Sequence, residues 1–338
     1  MSAIRNFTIG FGLLLLAVIV VGVFLPSGSQ VQREVLIDAP VATVFVLADD
    51  PHRLAEWSPW IGSMATVDVD EGADGRAESL RWEGGRSGDG RVTFVESLPY
   101  ERATTVLEPR DGGKMRSAMV LDDSGESSRV RWTLETDYGI NLLARYGGLW
   151  FESRAGEMLD RGLTELATLA ESLPRADWSE IDIERLNVEP LDIAYLTASS
   201  RPNATAISEA MGEAYFDILG FMDRHGLAEA GPPLSISRRF SGSEFVFDAA
   251  IPVRGVSEDT PRAEGGIRLG KTWGGPVVRG HHIGSYGKLA ETHEKIAAWL
   301  AVHGIDRAGD AWEAYVSDPT RTPEEQLVTD VYYPITAL

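Results

Sequence analysis

The sequence predicts an α+β protein in which an N-terminal apolar helix precedes two folded domains. Three observations support this prediction: residues 7–25 carry no charge, residues 31–173 read as antiparallel strands closed by one long helix, and residues 187–338 contain the same half-domain twice. Residues 174–186 are predicted to link the two domains. A chain of 338 residues is long enough for each domain to bury a core of its own.

Residues 1–30 are predicted to anchor the chain in a membrane. A transmembrane helix over residues 7–25 would be roughly 28 Å long, which matches the hydrocarbon core of a bilayer. Arg5 precedes this segment, so the positive-inside tendency predicts a single-pass protein with its folded domains on the periplasmic, extracytoplasmic side. A cleavable signal peptide is the alternative, because residues 27–29 are small.

The composition excludes several classes of function. The net charge of −20 argues against nucleic acid as a partner, because a protein that binds phosphates neutralises them with Lys and Arg. The absence of cysteine excludes disulfides, thiol catalysis and thiolate metal sites. The six histidines lack the spacing of a metal site, and the adjacent His281 and His282 would point to opposite faces of a strand. We therefore expect no metal and no cofactor.

Residues 31–173 have the pattern of one strand, two short helices, several further strands and a long helix. Glycines 84, 85, 88 and 90 fall between two strand-like runs, so they predict a hairpin turn and not a phosphate-binding loop. The first strand is predicted at 31–37, the short helices at 41–48 and 52–57, and the later strands at 78–83, 91–97, 102–108, 115–122 and 129–136.

Three short motifs accompany the final helix of this domain: Asp38-Ala39-Pro40-Val41-Ala42-Thr43-Val44-Phe45, Trp57-Ser58-Pro59-Trp60 and Gly139-Ile140-Asn141. Together they resemble the SRPBCC (START-like, polyketide-cyclase-like) superfamily. The resemblance implies a helix-grip fold, in which an antiparallel sheet wraps around a long helix, with a cavity for apolar molecules between them. The domain is rich in tryptophan, and the sequence leaves open whether these side chains line a pocket or form the core: Trp57, Trp60, Trp82, Trp132 and Trp150.

The duplicated half-domain runs from about 191 to 253 and again from about 277 to 335. In each copy an amphipathic helix ends at a His-Gly pair, and a strand-like run follows with Asp and Pro at the same spacing. The position nine residues after the glycine is Ser235 in the first copy and Glu313 in the second. A charged residue at only one of these two equivalent positions suggests that the asymmetry carries the function.

Glu313 lies in the short strand-like run from Trp312 to Val316. Alternation along a strand predicts Glu313 and Tyr315 on one face, with Trp312 and Ala314 on the other. An ionised carboxylate among apolar side chains is costly unless it is paired or solvated. Two explanations remain open from the residues alone: a structural Arg or Lys partner, or a cavity that offers negative charge to a cation.

The string Trp312-Glu313-Ala314-Tyr315-Val316-Ser317-Asp318-Pro319, the closing run 329–335 and the duplication together resemble the GyrI-like (gyrase-inhibitor-like) effector-binding domains. The resemblance implies a strand-helix-strand-strand unit in duplicate. It also implies a cleft for lipophilic, often cationic, small molecules, with Glu313 facing the ligand inside an aromatic cage. The candidate ligand-binding residues are Glu313, Tyr315, Tyr286, Tyr195, Trp273 and Tyr332.

The function expected from these observations is that of a membrane-tethered protein that binds a lipophilic, cationic or polyaromatic small molecule. The alternative is a hydrolase of lipophilic electrophilic compounds that uses Glu313 as general acid or base, an activity that the GyrI-like resemblance also implies. A third hypothesis is that both domains are protein-interaction modules. Nothing upstream of the duplicated domain resembles a helix-turn-helix, so direct contact with DNA is not expected.

Overall fold

The computed structural model describes residues 2–62, 64–72, 77–86, 88–110 and 112–336. The chain forms two compact units that divide between Asp177 and Trp178. Each unit is an antiparallel sheet packed against helices, so the predicted α+β class is confirmed.

Helix α1 spans Ser2–Phe24, and Pro26 follows it. A helix therefore forms over the uncharged segment that the sequence singled out. In the part of the chain that the structure describes, however, no helix is long and apolar enough to cross a membrane. The transmembrane anchor predicted over residues 7–25 is not supported by the structure.

The first unit contains a seven-stranded sheet with the order β1-β7-β6-β5-β4-β3-β2. The predicted strands and the predicted hairpin between β3 and β4 are confirmed, and Gly85 pairs with Gly88 across that hairpin. The elements after α1 are β1 (Gly28–Ile37), α2 (Val41–Asp49), α3 (Pro51–Trp57), β2 (Thr66–Glu71), β3 (Ala77–Gly85), β4 (Gly88–Leu98), β5 (Arg102–Pro109), β6 (Met115–Asp123), β7 (Ser128–Asp137), α4 (Leu142–Gly147) and α5 (Phe151–Ser172).

Tryptophans form much of the core between this sheet and α5. The rings of Trp57 and Trp60 each meet Trp132 edge to face, with centroids 5.6 Å and 5.3 Å apart. These three side chains line a cavity of about 20 Å³, which has room for about one water molecule. Trp82 is also buried, whereas Trp150 is exposed. Four of the five tryptophans are therefore core residues, and the fifth lies on the surface.

The second unit contains a ten-stranded sheet, in which nine strands follow the order β13-β14-β9-β12-β11-β16-β17-β15-β8 and β10 pairs with β12. Its elements are β8 (Ile183–Val188), β9 (Asp192–Ser200), α6 (Ala204–His225), β10 (Ala228–Glu229), β11 (Leu234–Phe240), β12 (Phe245–Arg254), β13 (Ala263–Glu264), β14 (Ile267–Lys271), β15 (Gly275–Ile283), α7 (Leu289–Val302), β16 (Trp312–Tyr315) and β17 (Val328–Pro334). Strand β8 begins at Ile183, within the segment 174–186.

The duplication is confirmed as two strand-helix-strand-strand units. The first is β9-α6-β11-β12 and the second is β15-α7-β16-β17. Gly226 and Gly304 follow the two helices at equivalent positions with φ of 62° and 65°, a left-handed conformation that favours glycine. The two helices therefore end in the same left-handed glycine conformation, and the number of residues from that glycine to the next long strand is the same in both copies.

Helices α6 and α7 cover the same face of the sheet. Ile218 and Phe221 of α6 are buried against β9 and β12, and Ile296 and Leu300 of α7 are buried against β15 and β17. A third apolar cluster, which includes Trp312, occupies the opposite face. A side chain on the central strands thus faces either the helices or this third cluster, and its position along the strand decides which.

Candidate functional site

The two repeats meet where β11 pairs with β16. These are equivalent strands of the two copies, and their antiparallel register sets Ser235 opposite Glu313 and Leu234 opposite Ala314. The hydroxyl of the first copy and the carboxylate of the second, which occupy equivalent positions, therefore belong to cross-strand neighbours where the two repeats meet. Side chains of such a pair lie on the same face of the sheet.

Glu313 and Tyr315 lie on the face of β16 that is directed toward the helices, as the alternation of side chains along a strand predicted. Tyr315 packs against the apolar cores beneath both α6 and α7. Trp312 and Ala314 belong instead to the cluster on the other face. Glu313 therefore points to the side of the sheet on which both helices lie, at the boundary between the repeats.

The Glu313 carboxylate is held by two donors of different kinds. Its Oε1 lies 2.9 Å from Nε2 of His293, and its Oε2 accepts a hydrogen bond from the Tyr315 hydroxyl. The side chain of Glu313 is 14% exposed. Among the residues that the structure describes, His293 is its only partner within ion-pair distance. The structural Arg or Lys partner considered from the sequence is thus not what the structure shows.

His293 is a site residue that the sequence reasoning missed. It lies on α7, and its other ring nitrogen, Nδ1, is 2.7 Å from the Tyr333 hydroxyl. His293 fits no metal-ligand spacing and is not part of the His-Gly pairs at which the two helices end. The usable signal was its position: four residues after Leu289 and three before Ile296, on the stripe of α7 that faces the sheet.

Four tyrosines surround Glu313 on the helix side of the sheet: Tyr215, Tyr286, Tyr315 and Tyr333. The rings of Tyr286 and Tyr315 meet edge to face, with centroids 5.3 Å apart. The Tyr215 hydroxyl donates to the carbonyl of Leu234, so this ring is fixed beneath the junction of the repeats. Tyr286 and Tyr315 of the predicted cage are therefore brought together with Glu313, and Tyr215 and Tyr333 join them.

All four tyrosines are held in the neutral form. Burial, followed by the charge of Glu313, raises the pKa of Tyr215 and raises that of Tyr315 well above its usual value. Burial raises the pKa of Tyr333 to about 12, although Arg307 beside its ring favours the phenolate. The pKa of Tyr286 rises through burial and the charges of Asp318 and Glu313. Glu313 is therefore surrounded by phenols that donate hydrogen bonds without adding charge.

Three predicted cage residues lie on the other face of the sheet and do not belong to this cluster. Tyr195, Trp273 and Tyr332 pack in the third apolar cluster. Tyr332 is the cross-strand partner of Trp312, and their rings stack with centroids 4.8 Å apart. The alternation that puts Glu313 on the helix face puts Tyr332 on the opposite one, so the neighbouring Tyr333 occupies the position near Glu313.

Two buried hydroxyls lie on the Glu313 face of the sheet. Ser235 is 1% exposed and is opposite Glu313, while Thr329 is opposite Tyr315. Within the described residues, neither Ser235 Oγ nor Thr329 Oγ1 has a hydrogen-bond partner of normal geometry. A buried hydroxyl without a partner carries a desolvation cost, which a water molecule or a ligand atom can relieve.

The side chains of Glu313 and His293 can together hold a negative charge or transfer a proton. Glu313 and His293 are a carboxylate and an imidazole in direct contact, which are the groups that general acid–base chemistry uses. No cluster of three or more potential metal ligands occurs among the described residues. The chemistry available is therefore that of a partly buried carboxylate, an imidazole and neutral phenols.

Two protein families match successive parts of the chain. Residues 29–171 match the family described as polyketide cyclase / dehydrase and lipid transport, and residues 181–336 match the GyrI-like small molecule binding domain. The two matches confirm the predicted order of an SRPBCC-like domain followed by a GyrI-like domain. Both domains are thus of types associated with small molecules.

Several solved structures are similar to single domains of the chain. The EcmrR C-terminal domain is 10% identical, with 47% of this chain and 99% of that one covered and a TM-score of 0.39. A hydrolase from Listeria innocua is 15% identical, with 46% and 92% covered and a TM-score of 0.34. A START superfamily protein from Mycobacterium smegmatis is 18% identical, with 42% and 97% covered and a TM-score of 0.36. At such low identity these similarities carry no argument about function. No curated protein matches the chain.

Proposed function

We propose that the second domain binds lipophilic cationic small molecules at the Glu313 cluster, which comprises Glu313, His293, Tyr286, Tyr315 and Tyr333. The observation that carries this proposal is a partly buried carboxylate whose partners are an imidazole and a phenol instead of an arginine or lysine. Such a carboxylate keeps its charge available for a ligand.

The protons of the cluster can be assigned without any positive charge. If Tyr333 donates to Nδ1 of His293, then Nε2–H of the neutral imidazole donates to Glu313, and Tyr315 donates to the other carboxylate oxygen. In this state the cluster has a net charge of about −1 in a poorly solvated environment, where a cation is attracted more strongly than in water.

The tyrosines supply aromatic contacts to the bound cation, in addition to the negative charge of Glu313. A desolvated cation gains from contact with aromatic ring faces as well as from a nearby carboxylate. Tyr286 is half-buried on the turn Tyr286–Lys288 before α7, so it lies at the edge of the cluster and not at its centre. This edge position suits a side chain that closes over a bound ligand. The match to a small molecule binding domain over 181–336 supports the same conclusion.

The negative net charge of the chain favours a cationic ligand over an anionic one. With 51 acidic residues against 31 basic ones, the protein raises the concentration of cations near any cleft.

As a further part of this proposal, α1 associates the chain with a membrane and places the folded domains on the extracytoplasmic side. The absence of charge over residues 7–25 and the single Arg5 before them support that part.

Hydrolysis of a bound electrophile is the second candidate, and the His293–Glu313 contact favours it. Glu313 would take a proton from a water molecule while the water oxygen attacks the electrophilic carbon, and a tyrosine hydroxyl would hydrogen-bond to the leaving group. As the bond to the leaving group breaks, the protonated Glu313 would give its proton to that group. This candidate predicts that a bound electrophile is consumed over time. Loss of that consumption in Glu313→Gln, with binding retained, would separate catalysis from binding.

Thermal-shift measurements on the full chain test the proposal. The wild type and Glu313→Gln would be screened against tetraphenylphosphonium, a tetraalkylammonium ion and neutral triphenylphosphine oxide. We expect the cations to stabilise the second domain of the wild type and to lose this effect in Glu313→Gln, because only the carboxylate distinguishes charged from neutral ligands. Equal stabilisation of both proteins by the cations would contradict the role of Glu313.

A further inference from the structure

Helix α4 lies against the C-terminal end of α1, and hydrogen bonds fix the two together. The guanidinium of Arg145 donates to the carbonyl oxygens of Val23 and Leu25, both at 3.2 Å. Val23 lies in the last turn of α1, where helix carbonyls lack partners of their own, and Leu25 directly follows the helix. The Tyr146 hydroxyl donates to the carbonyl of Val18 at 2.6 Å. The end of α1 is thus docked on the first domain and is not a free tether.

Close packing reinforces this contact. A Cβ atom at Gly22 would lie 3.1 Å from Cβ of Leu142 and 3.3 Å from the ring of Tyr146. The two helices therefore approach each other as closely as a glycine permits. Because only the short 3-10 helix Gly148–Trp150 separates α4 from α5, the contact ties the end of α1 to the helix that packs in the core of the first domain.

The segment around α4 exposes large apolar side chains. Ile140 is 95% exposed, Leu143 76%, Leu149 59% and Trp150 58%. Residues 138–151 contain no acidic residue, although the chain as a whole has a net charge of −20. An exposed apolar patch of this kind indicates an interaction surface.

The exposed apolar surface continues from this segment onto α1. Before Gly22, where α1 meets α4, the large apolar side chains from Ile9 to Val21 are exposed on all sides of the helix. A protein partner would cover one face of a helix, and the other faces would then be polar. Exposure around the whole circumference fits an apolar phase that surrounds the helix, and the patch beside its end would meet the boundary of the same phase.

We propose that Ile140, Leu143, Leu149 and Trp150, here called the α4 patch, insert into the interfacial layer of a lipid bilayer beside α1. This inference rests on the membrane association put forward for α1. The first domain then lies on the lipid surface in a fixed orientation, because Arg145 and Tyr146 tie its α4 to α1. Tryptophan is enriched at membrane interfaces, where its ring contacts acyl chains and its N–H meets the polar layer, and Trp150 fits that position.

The net charge of the chain indicates which lipid headgroups the α4 patch would contact. The protein's net charge of −20 disfavours an anionic surface, and Arg145, the basic residue within the segment 138–151, already donates to carbonyl groups. Contact is therefore driven by apolar burial and not by attraction to anionic headgroups. Binding to zwitterionic phosphatidylcholine is expected to be at least as strong as binding to membranes rich in phosphatidylserine.

The absence of cysteine allows a direct test with the full chain. Single variants Leu143→Cys, Leu149→Cys, Phe24→Cys and Met64→Cys would carry an environment-sensitive fluorophore and be mixed with phosphatidylcholine vesicles whose acyl chains are brominated. Met64 is exposed in the same domain and lies outside the α4 patch, so it is the matched control. We expect brominated lipid to quench the labels at 24, 143 and 149 by at least twofold and to leave the label at 64 unchanged.

Three results would overturn the inference, and they differ in what else they contradict. Quenching at 24 without quenching at 143 and 149 would show that α1 enters the lipid while the α4 patch does not. Failure of the chain to float with vesicles at all would contradict the membrane association of α1 as well. A label at 143 that forms excimers with a second copy, with no quenching by lipid, would assign the α4 patch to self-association instead.

Discussion

Ser235 and Glu313 are equivalent residues of a duplicated half-domain, and they face each other across the strands that join its two copies. Duplication alone would place the same side chain on both strands at this point. The chain has a hydroxyl on one side and a carboxylate on the other, so a negative charge lies where the two copies meet, on the face of the sheet that the helices cover. That charge lies beneath two helices and among tyrosines of both repeats.

The face on which an aromatic residue lies determines its effect on binding. Tyr315→Phe removes a donor to Glu313, and we expect it to weaken cation binding by about tenfold, which corresponds to roughly 1.4 kcal/mol. Tyr332→Phe, on the opposite face, is the matched control and is expected to leave affinity unchanged. Fluorescence titration with a lipophilic cation would measure both. An equal loss in the two variants would contradict the assignment of faces.

His293 is expected to hold the carboxylate of Glu313 in place for a bound cation. His293→Gln keeps a donor for Glu313 and should retain most of the affinity for a lipophilic cation, whereas His293→Leu leaves Oε1 of Glu313 without this donor and should weaken cation binding by about tenfold. Fluorescence titration would measure both variants. Equal affinity of His293→Gln and His293→Leu for the cation would contradict a hydrogen-bonding role for His293.

Tyr333 links the site to stability at alkaline pH. Its pKa is raised from 10.0 to about 12 by burial, so the folded state keeps the proton under conditions in which the unfolded state has lost it. The stabilisation is complete below about pH 10 and is lost as the pH rises through about 12. In Tyr333→Phe, unfolding between these values should depend less on pH. Absorbance at 295 nm and circular dichroism would follow ionisation and unfolding together. Ionisation of every tyrosine by about pH 11 with the fold intact would contradict the burial described.

Two helical glycines predict opposite effects of the same substitution. A Cβ atom at Gly162 of α5 would lie 2.6 Å from the Trp132 ring and 3.0 Å from Pro59, so Gly162→Ala should destabilise the first domain by roughly 1–3 kcal/mol. Gly212 of α6 has no atom within 4 Å of that position, and Gly212→Ala should stabilise by about 0.5–1 kcal/mol. Chemical denaturation of both variants measures the two changes. Stabilisation by Gly162→Ala would mean that α5 does not pack against Trp132 this closely.

The duplicated fold and the position of Glu313 could be predicted from the sequence because both depend on local spacing. The His-Gly helix endings, the Asp-to-Pro spacing and the alternation around Glu313 are all contained within short segments. The structure confirms them as the two strand-helix-strand-strand units and as the helix-facing position of Glu313.

The composition of the cluster around Glu313 was harder to predict because it depends on register between strands that are distant in the sequence. Tyr332 and Tyr333 are adjacent, so one faces the helices and the other does not, and aromatic character alone cannot distinguish them. Pairing of Trp312 with Tyr332 settles the choice in favour of Tyr333. His293 was missed for a related reason, since its importance comes from the strand beneath α7 and not from any motif around it.

Calorimetric titration of tetraphenylphosphonium into the full chain in lipid nanodiscs, for the wild type and Glu313→Gln, tests the central claim most directly. Empty nanodiscs correct for partition of the cation into lipid, and triphenylphosphine oxide serves as the neutral ligand. We predict that Glu313→Gln weakens binding of the cation by about 10- to 100-fold, as expected for a partly buried charged contact, and leaves the neutral ligand unaffected. Equal affinity of the two proteins for the cation would contradict the assignment of Glu313 as its charge partner.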